Sequence, residues 1–175
     1  FPGMLHGRTI RSTIPCGRLA SLHLDFDTTG FTVVTHRDIP GRNVVALIAD
    51  DQPCLVEREV RHPGEAIVLV AHEDKEKLLA ANAVIQYERA EPVLDPRVST
   101  QVHKHIRIEK GDVGKGFGRA ELVVEGEYRT GHQEHVYIEP QGVIAVPENG
   151  GITVYGSIQC PFYVHRALEV LLGPA

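Results

Sequence analysis

Apolar residues recur along this chain with two spacings, and those spacings assign most of its elements. Leu22, Leu24 and Phe26 alternate with His23 and Asp25, the period-two pattern of a half-buried strand, and Asp27-Thr28-Thr29-Gly30 supplies a turn before Phe31 to Val34. Thr35 precedes Asp38 by three residues, the spacing of a capped helical turn, which Pro40 and Gly41 end. Val44 to Ala49 is a short apolar run closed by Asp50 and Asp51, read as a buried strand entering a loop. After the Pro63-Gly64 turn, Ala66 to Ala71 is apolar on both faces, as a central strand requires. Helical periodicity follows through Leu78, Leu79 and Ala83. It predicts a helix over Glu73 to Ala83 with both leucines at least partly buried, then a short strand over Val84 to Glu88. Strand, helix and strand in that order imply an α/β unit on a mixed sheet.

Glu91-Pro92-Val93-Leu94-Asp95-Pro96 is a proline-punctuated connector and the best boundary in the chain. It divides an α+β chain into a first domain to about residue 100 and a second over residues 101–175. Beyond it, His103 to Glu109 alternates like a strand, Gly111 to Arg119 is a glycine-rich or helical turn, and apolar strands are expected at Glu121 to Glu125 and Val143 to Val146. Pro161 and Gly173 bracket a helix over Phe162 to Leu172, proline suiting the first turn and glycine the position past the last. There is no internal repeat and no low-complexity segment.

Composition narrows the class. Eighteen basic against 23 acidic residues give a net charge of −5, which argues against nucleic acid as a partner, because neutralising phosphates needs a basic face. Cys16, Cys54 and Cys160 are odd in number and far apart, so they build neither a disulfide framework nor an iron–sulfur or Cys-x-x-Cys pattern. No apolar run reaches the length of a membrane span and the amino end lacks the layout of a signal peptide, so a cytoplasmic protein without membrane contact is expected.

Chemically able side chains crowd into Gly126 to Pro147. His132, Gln133, Glu134 and His135 follow Gly131, and on a strand His135, Tyr137 and Glu139 would share one face while Val136 and Ile138 took the other, buried one. On a helix His132, His135 and Glu139 would lie along one side and could bind zinc as a hydrolase does. Pro140, the β-branched Val136 and Ile138, and the surrounding glycines oppose that helix, and on a strand the two histidines point to opposite faces. His103 and His105 share a strand face and could bind a metal, but two solvated side chains are the better reading. Gly114 to Gly118 has neither the spacing nor the Lys-Ser/Thr ending of a phosphate loop. No serine or cysteine sits in a nucleophile elbow.

The run from Glu125 through Tyr128, Gly131, Gln133, Glu134, His135, Tyr137 and Glu139 resembles the segment that opens the cofactor-binding region of the xanthine dehydrogenase/aldehyde oxidase family, the molybdenum hydroxylases. Pro2 to Ser12 resembles that family's opening strand, Ala66 through Pro96 its α/β hammerhead domain, and Gly111-Asp112-Val113 the start of its molybdopterin-binding domain. Pro63, Glu65-Ala66 and Ile158 depart from its usual residues.

The resemblance implies that Gln133 approaches the oxygen ligands of a molybdenum held by a pterin, and that Gln159, in a Ser-Thr-Gln-like motif interrupted by Ile158, is a further cofactor-binding residue; the family's second glycine-rich cofactor loop would lie beyond Ala175. Taken alone, Gln133 is better read as a turn glutamine bonding its own backbone. The family's base lies beyond Ala175, so the chain is expected to be an inactive amino-terminal piece of a subunit. Its parent would hydroxylate an aromatic heterocycle or aldehyde with water-derived oxygen and pass electrons to iron–sulfur and flavin (FAD) groups on other domains or subunits. The other classes open to the chain are a non-catalytic scaffold or partner-binding module and the zinc hydrolase; stoichiometric zinc would favour the latter.

Overall fold

The structure, a computed structural model, describes residues 1–45 and 49–173. Residues 46–48 of the strand expected over Val44 to Ala49 lie outside the described residues. The chain forms two compact units, one of residues 1–92 with 142–175 and one of residues 93–141.

The first unit is built on two three-stranded sheets. β1 (His6–Arg11), β3 (Thr32–Val34) and β5 (Ala66–His72) form one, in the order β1-β5-β3, so Ala66 to Ala71 is central as its two apolar faces predict. β2 (Gly17–Leu24), β4 (Glu59–Val60) and β6 (Ala83–Arg89) form the other, with β2 central. Ile10, Ile14, Val56, Val60, Val68, Val70 and Leu78 make one buried cluster, against which Leu19, Leu22, Leu24, Ile85 and Tyr87 pack.

The mixed sheet expected from the strand–helix–strand order does not form. β5 and β6 fall in different sheets, and every pairing among the described residues is antiparallel. The physical reason lies in the connector, α1 (Lys75–Ala80), which at six residues is shorter than the expected Glu73 to Ala83. A parallel crossover needs a dozen or more residues. Asp74 starts the helix by accepting from the Glu76 and Lys77 N–H groups, and Arg8 of β1 ends it by donating to the Leu79 and Ala81 carbonyls at 2.8 and 2.7 Å. From Ala83 the β-branched and aromatic residues of β6 pair with β2 instead. In so short a helix only one of two adjacent leucines can face the core: Leu78 is 3% exposed and Leu79 61%.

The turn expected at Thr35 is a single 3-10 turn over His36–Asp38 with a reciprocal capping box. The amide and hydroxyl of Thr35 donate to the Asp38 carboxylate, and these bonds hold its pKa below the ordinary 3.8. Asp74 is lowered similarly by the amides of Lys77 and Glu76. A lowered folded-state pKa contributes stability above the unfolded value and loses it as pH falls through the folded one. Denaturation midpoints measured from about pH 5 downward should therefore fall, and Asp74→Asn, which keeps an acceptor oxygen but no titrating carboxyl, should flatten that acid dependence.

The first unit also holds the hairpin β7 (Val143–Glu148) and β8 (Gly151–Gly156) and the helix α3 (Pro161–Leu172). Gly173 sits at φ +82°, so glycine past the helix end serves the backbone it was expected to serve. No helix among the described residues is long and apolar enough to cross a membrane.

Candidate cofactor-binding segment

The second unit carries one α-helix, α2 (Val113–Arg119), where the sequence allowed a turn or a helical turn. Asp112 caps it by accepting from the Lys115 N–H at 2.9 Å, and the amide and side chain of Lys115 lower the Asp112 pKa. Val113, Phe117, Ala120 and Leu122 to Val124 line an apolar cleft of about 400 Å³ along this helix.

The strands expected at His103 to Glu109 and Glu121 to Glu125 are absent, as is the one expected to place His135, Tyr137 and Glu139 on one face. Val136 and Ile138, expected buried, are 75% and 99% exposed. A strand satisfies its backbone only within a sheet, and none of the sheets among the described residues takes in these segments. What remains is locally extended chain, in which side chains two apart lie on one side: Arg107 pairs with Glu109, and Arg129 with Glu127, each at 2.5 Å. Val136 at φ +48° breaks even this run, a conformation a β-branched residue rarely adopts.

Within this segment the His135 amide donates to Glu134 Oε1 at 3.1 Å and Gln141 Nε2 donates to the Tyr137 hydroxyl at 3.2 Å. Gln133 is exposed and belongs to the second unit. Among the described residues Gln133 shows no side-chain hydrogen bond to its own backbone, the bond that would explain this glutamine without a ligand. Gln159 belongs to the first unit, exposed in the bend between β8 and α3 and next to Cys160, which starts that helix without a side-chain cap bond. His132, His135 and Glu139 do not come together as a metal site, and the described residues hold no group of three such side chains that could. A helix would have stacked them; the extended chain at Pro140 does not.

A primary amide supplies two uncharged N–H donors, which suits a group whose metal is ligated by a pterin rather than by protein side chains. The sequence signals that could locate the Asp112 cap are an aspartate just before a helical turn and a lysine three residues on; nothing in the sequence marks the unusual backbone of Val136.

Comparison with known proteins matches residues 1–91 to the aldehyde oxidase and xanthine dehydrogenase a/b hammerhead domain and residues 94–175 to the molybdopterin cofactor-binding domain. The chain is 38% identical over 176 residues to a probable xanthine dehydrogenase subunit of Bacillus subtilis, covering 91% of this chain and 24% of that protein. It is 34% identical over 181 residues to the nicotinate dehydrogenase large molybdopterin subunit of Eubacterium barkeri, covering 93% and 42%. Among solved structures, the aldehyde oxidoreductase of Desulfovibrio gigas shares the fold, with a TM-score of 0.78 at 20% identity over 98% of this chain and 22% of that one.

Proposed function

The chain belongs to the xanthine dehydrogenase and aldehyde oxidase family, the molybdenum hydroxylases, and from that membership we propose that it is the amino-terminal part of a molybdenum subunit that oxidises an aromatic heterocycle or aldehyde. Residues 1 to about 100 are its hammerhead domain, and residues 101–175 begin the domain that holds the molybdopterin. When bound, that cofactor supplies the two-electron chemistry by which water-derived oxygen enters the substrate. Iron–sulfur and flavin groups on partner domains or subunits would carry the electrons away.

The observation that carries the reading is the chemistry of Gln133, an exposed amide within a segment matched to a cofactor-binding domain. Gln133 would turn its N–H donors to the molybdenum end of the cofactor, where negative charge grows on reduction, and a carboxylate there would be repelled. Gln159 would add a second amide from the bend before α3. His135, Tyr137 and Glu139 would shape the segment rather than touch substrate.

The full-length subunit, purified and supplied with a panel of N-heterocycles and aldehydes in oxygen-18 water, should contain molybdenum and pterin and place the label in product. Product oxygen drawn from dioxygen, or a purified protein free of molybdenum, would end this reading.

For the 175 residues in isolation a non-catalytic module is the better description. Val143 and Phe162 in the first unit and Val123 in the second are exposed, as residues awaiting a covering surface would be. The chain by itself should turn over none of these substrates; measurable turnover by it would remove the idea that the remainder is needed.

A further inference from the structure

The last turn of α3 lacks intrahelical partners for its carbonyls, as every helix end does. Gly173 N–H takes the Glu169 carbonyl at 3.1 Å. The next two are taken from far away in sequence: Arg42 N–H donates to Val170 O at 2.9 Å and Gly41 N–H donates to Leu171 O at 2.8 Å. Approach this close requires glycine. A Cβ at Gly41 would collide with Val170 O and would stand 2.8 Å from Leu171 O and 2.9 Å from Gly173 N, all main-chain atoms that cannot swing aside.

The donating loop is rooted in the hammerhead core. Asn43 Nδ2 donates to Leu55 O at 2.7 Å and Asn43 Oδ1 accepts from Leu55 N–H at 2.9 Å, a two-way bond to a residue only 2% exposed. Arg42 adds an exposed ion pair with Asp50 at 2.6 Å, which turns its side chain to the loop rather than to the helix. The two N–H groups reaching α3 are therefore main-chain groups held by Asn43, and they join the stretch matched to the hammerhead domain to a helix of the stretch matched to the cofactor domain.

We propose that Gly41 and Arg42 form a main-chain latch by which the hammerhead domain holds the carboxyl end of α3, and that Gly41 is thereby a positioning residue for Gln159 at the other end of that helix. The second half rests on the assignment of Gln159 to the cofactor. A rigid helix transmits the fixing of one end to the other, so the bend at residues 157–160 takes its place from a loop more than a hundred residues earlier.

Amide exchange of residues 161–172, read by mass spectrometry in the full-length subunit alongside molybdenum content and turnover, tests both halves. Gly41→Ala should speed exchange in α3 by about 10- to 100-fold, the loss expected for two hydrogen bonds, while β5 keeps its protection. Asn43→Ala should act in the same direction without touching α3 and serves if Gly41→Ala does not fold. Arg42→Ala, which keeps the main-chain donor, should leave α3 unchanged. Unaltered α3 exchange in both Gly41→Ala and Asn43→Ala would overturn the latch whatever the metal content. Faster exchange with full molybdenum and normal turnover would overturn the positioning role, provided Gln159→Ala impairs either; if Gln159→Ala is also silent, the cofactor assignment of Gln159 is what fails.

Discussion

Gln133→Ala in the full-length subunit is expected to lower the turnover number by about 10²–10³-fold while leaving substrate affinity nearly unchanged and molybdenum content intact. The magnitude is that of removing one preorganised donor from a dry site. The split follows from timing: an N–H bond that strengthens only as charge develops stabilises the transition state and not the bound substrate. His135→Ala and Glu139→Gln should act through stability or cofactor retention instead. Steady-state kinetics on protein of measured metal content separates these outcomes, and a fully loaded Gln133→Ala enzyme with normal turnover would strip Gln133 of its proposed role.

Leu78→Ala should cost about 2–5 kcal/mol, the range for truncating a leucine in a closed core, and Leu79→Ala within about 0.5 kcal/mol of nothing. The neighbours differ by one step of roughly 100° around a helix of six residues, and that step takes the side chain from the core between α1, β1 and β5 into solvent. Urea denaturation of the two variants gives both numbers. Equal midpoints would mean that α1 is not docked through Leu78.

The sequence made legible what depends on neighbours close along the chain. Alternation at Leu22 and Leu24, the capping pair Thr35 and Asp38, and the bracket of Pro161 and Gly173 all produced the expected elements, because each is decided within a few residues. The end of α1 was not legible. It is set by the guanidinium of Arg8, about seventy positions away, and by the pull of β2 on Val84 to Tyr87. The same holds for the candidate site. Residue identity at Gly131, Gln133, Glu134 and His135 carried the family, whereas the alternation at Val136 to Glu139 promised a strand that does not form among the described residues. Gly41 was read as the end of a turn; its closer constraint, the approach of α3, comes from the far end of the chain.

The interleaving of the sheets bears on how the chain acquires its structure at all. His6 pairs with His72 and Gly17 with Arg89, while β3 also waits for β5. No hairpin among the described residues of the first sixty can nucleate either sheet, so the search must close long loops before it is rewarded, and folding should be slow for a domain of this size. On the ribosome, β1 and β3 emerge with exposed edges that wait for β5, and β2 has only its two-residue pairing with β4 until β6 has been made. The two sheets of the hammerhead therefore cannot be completed until residues up to Arg89 have left the ribosome.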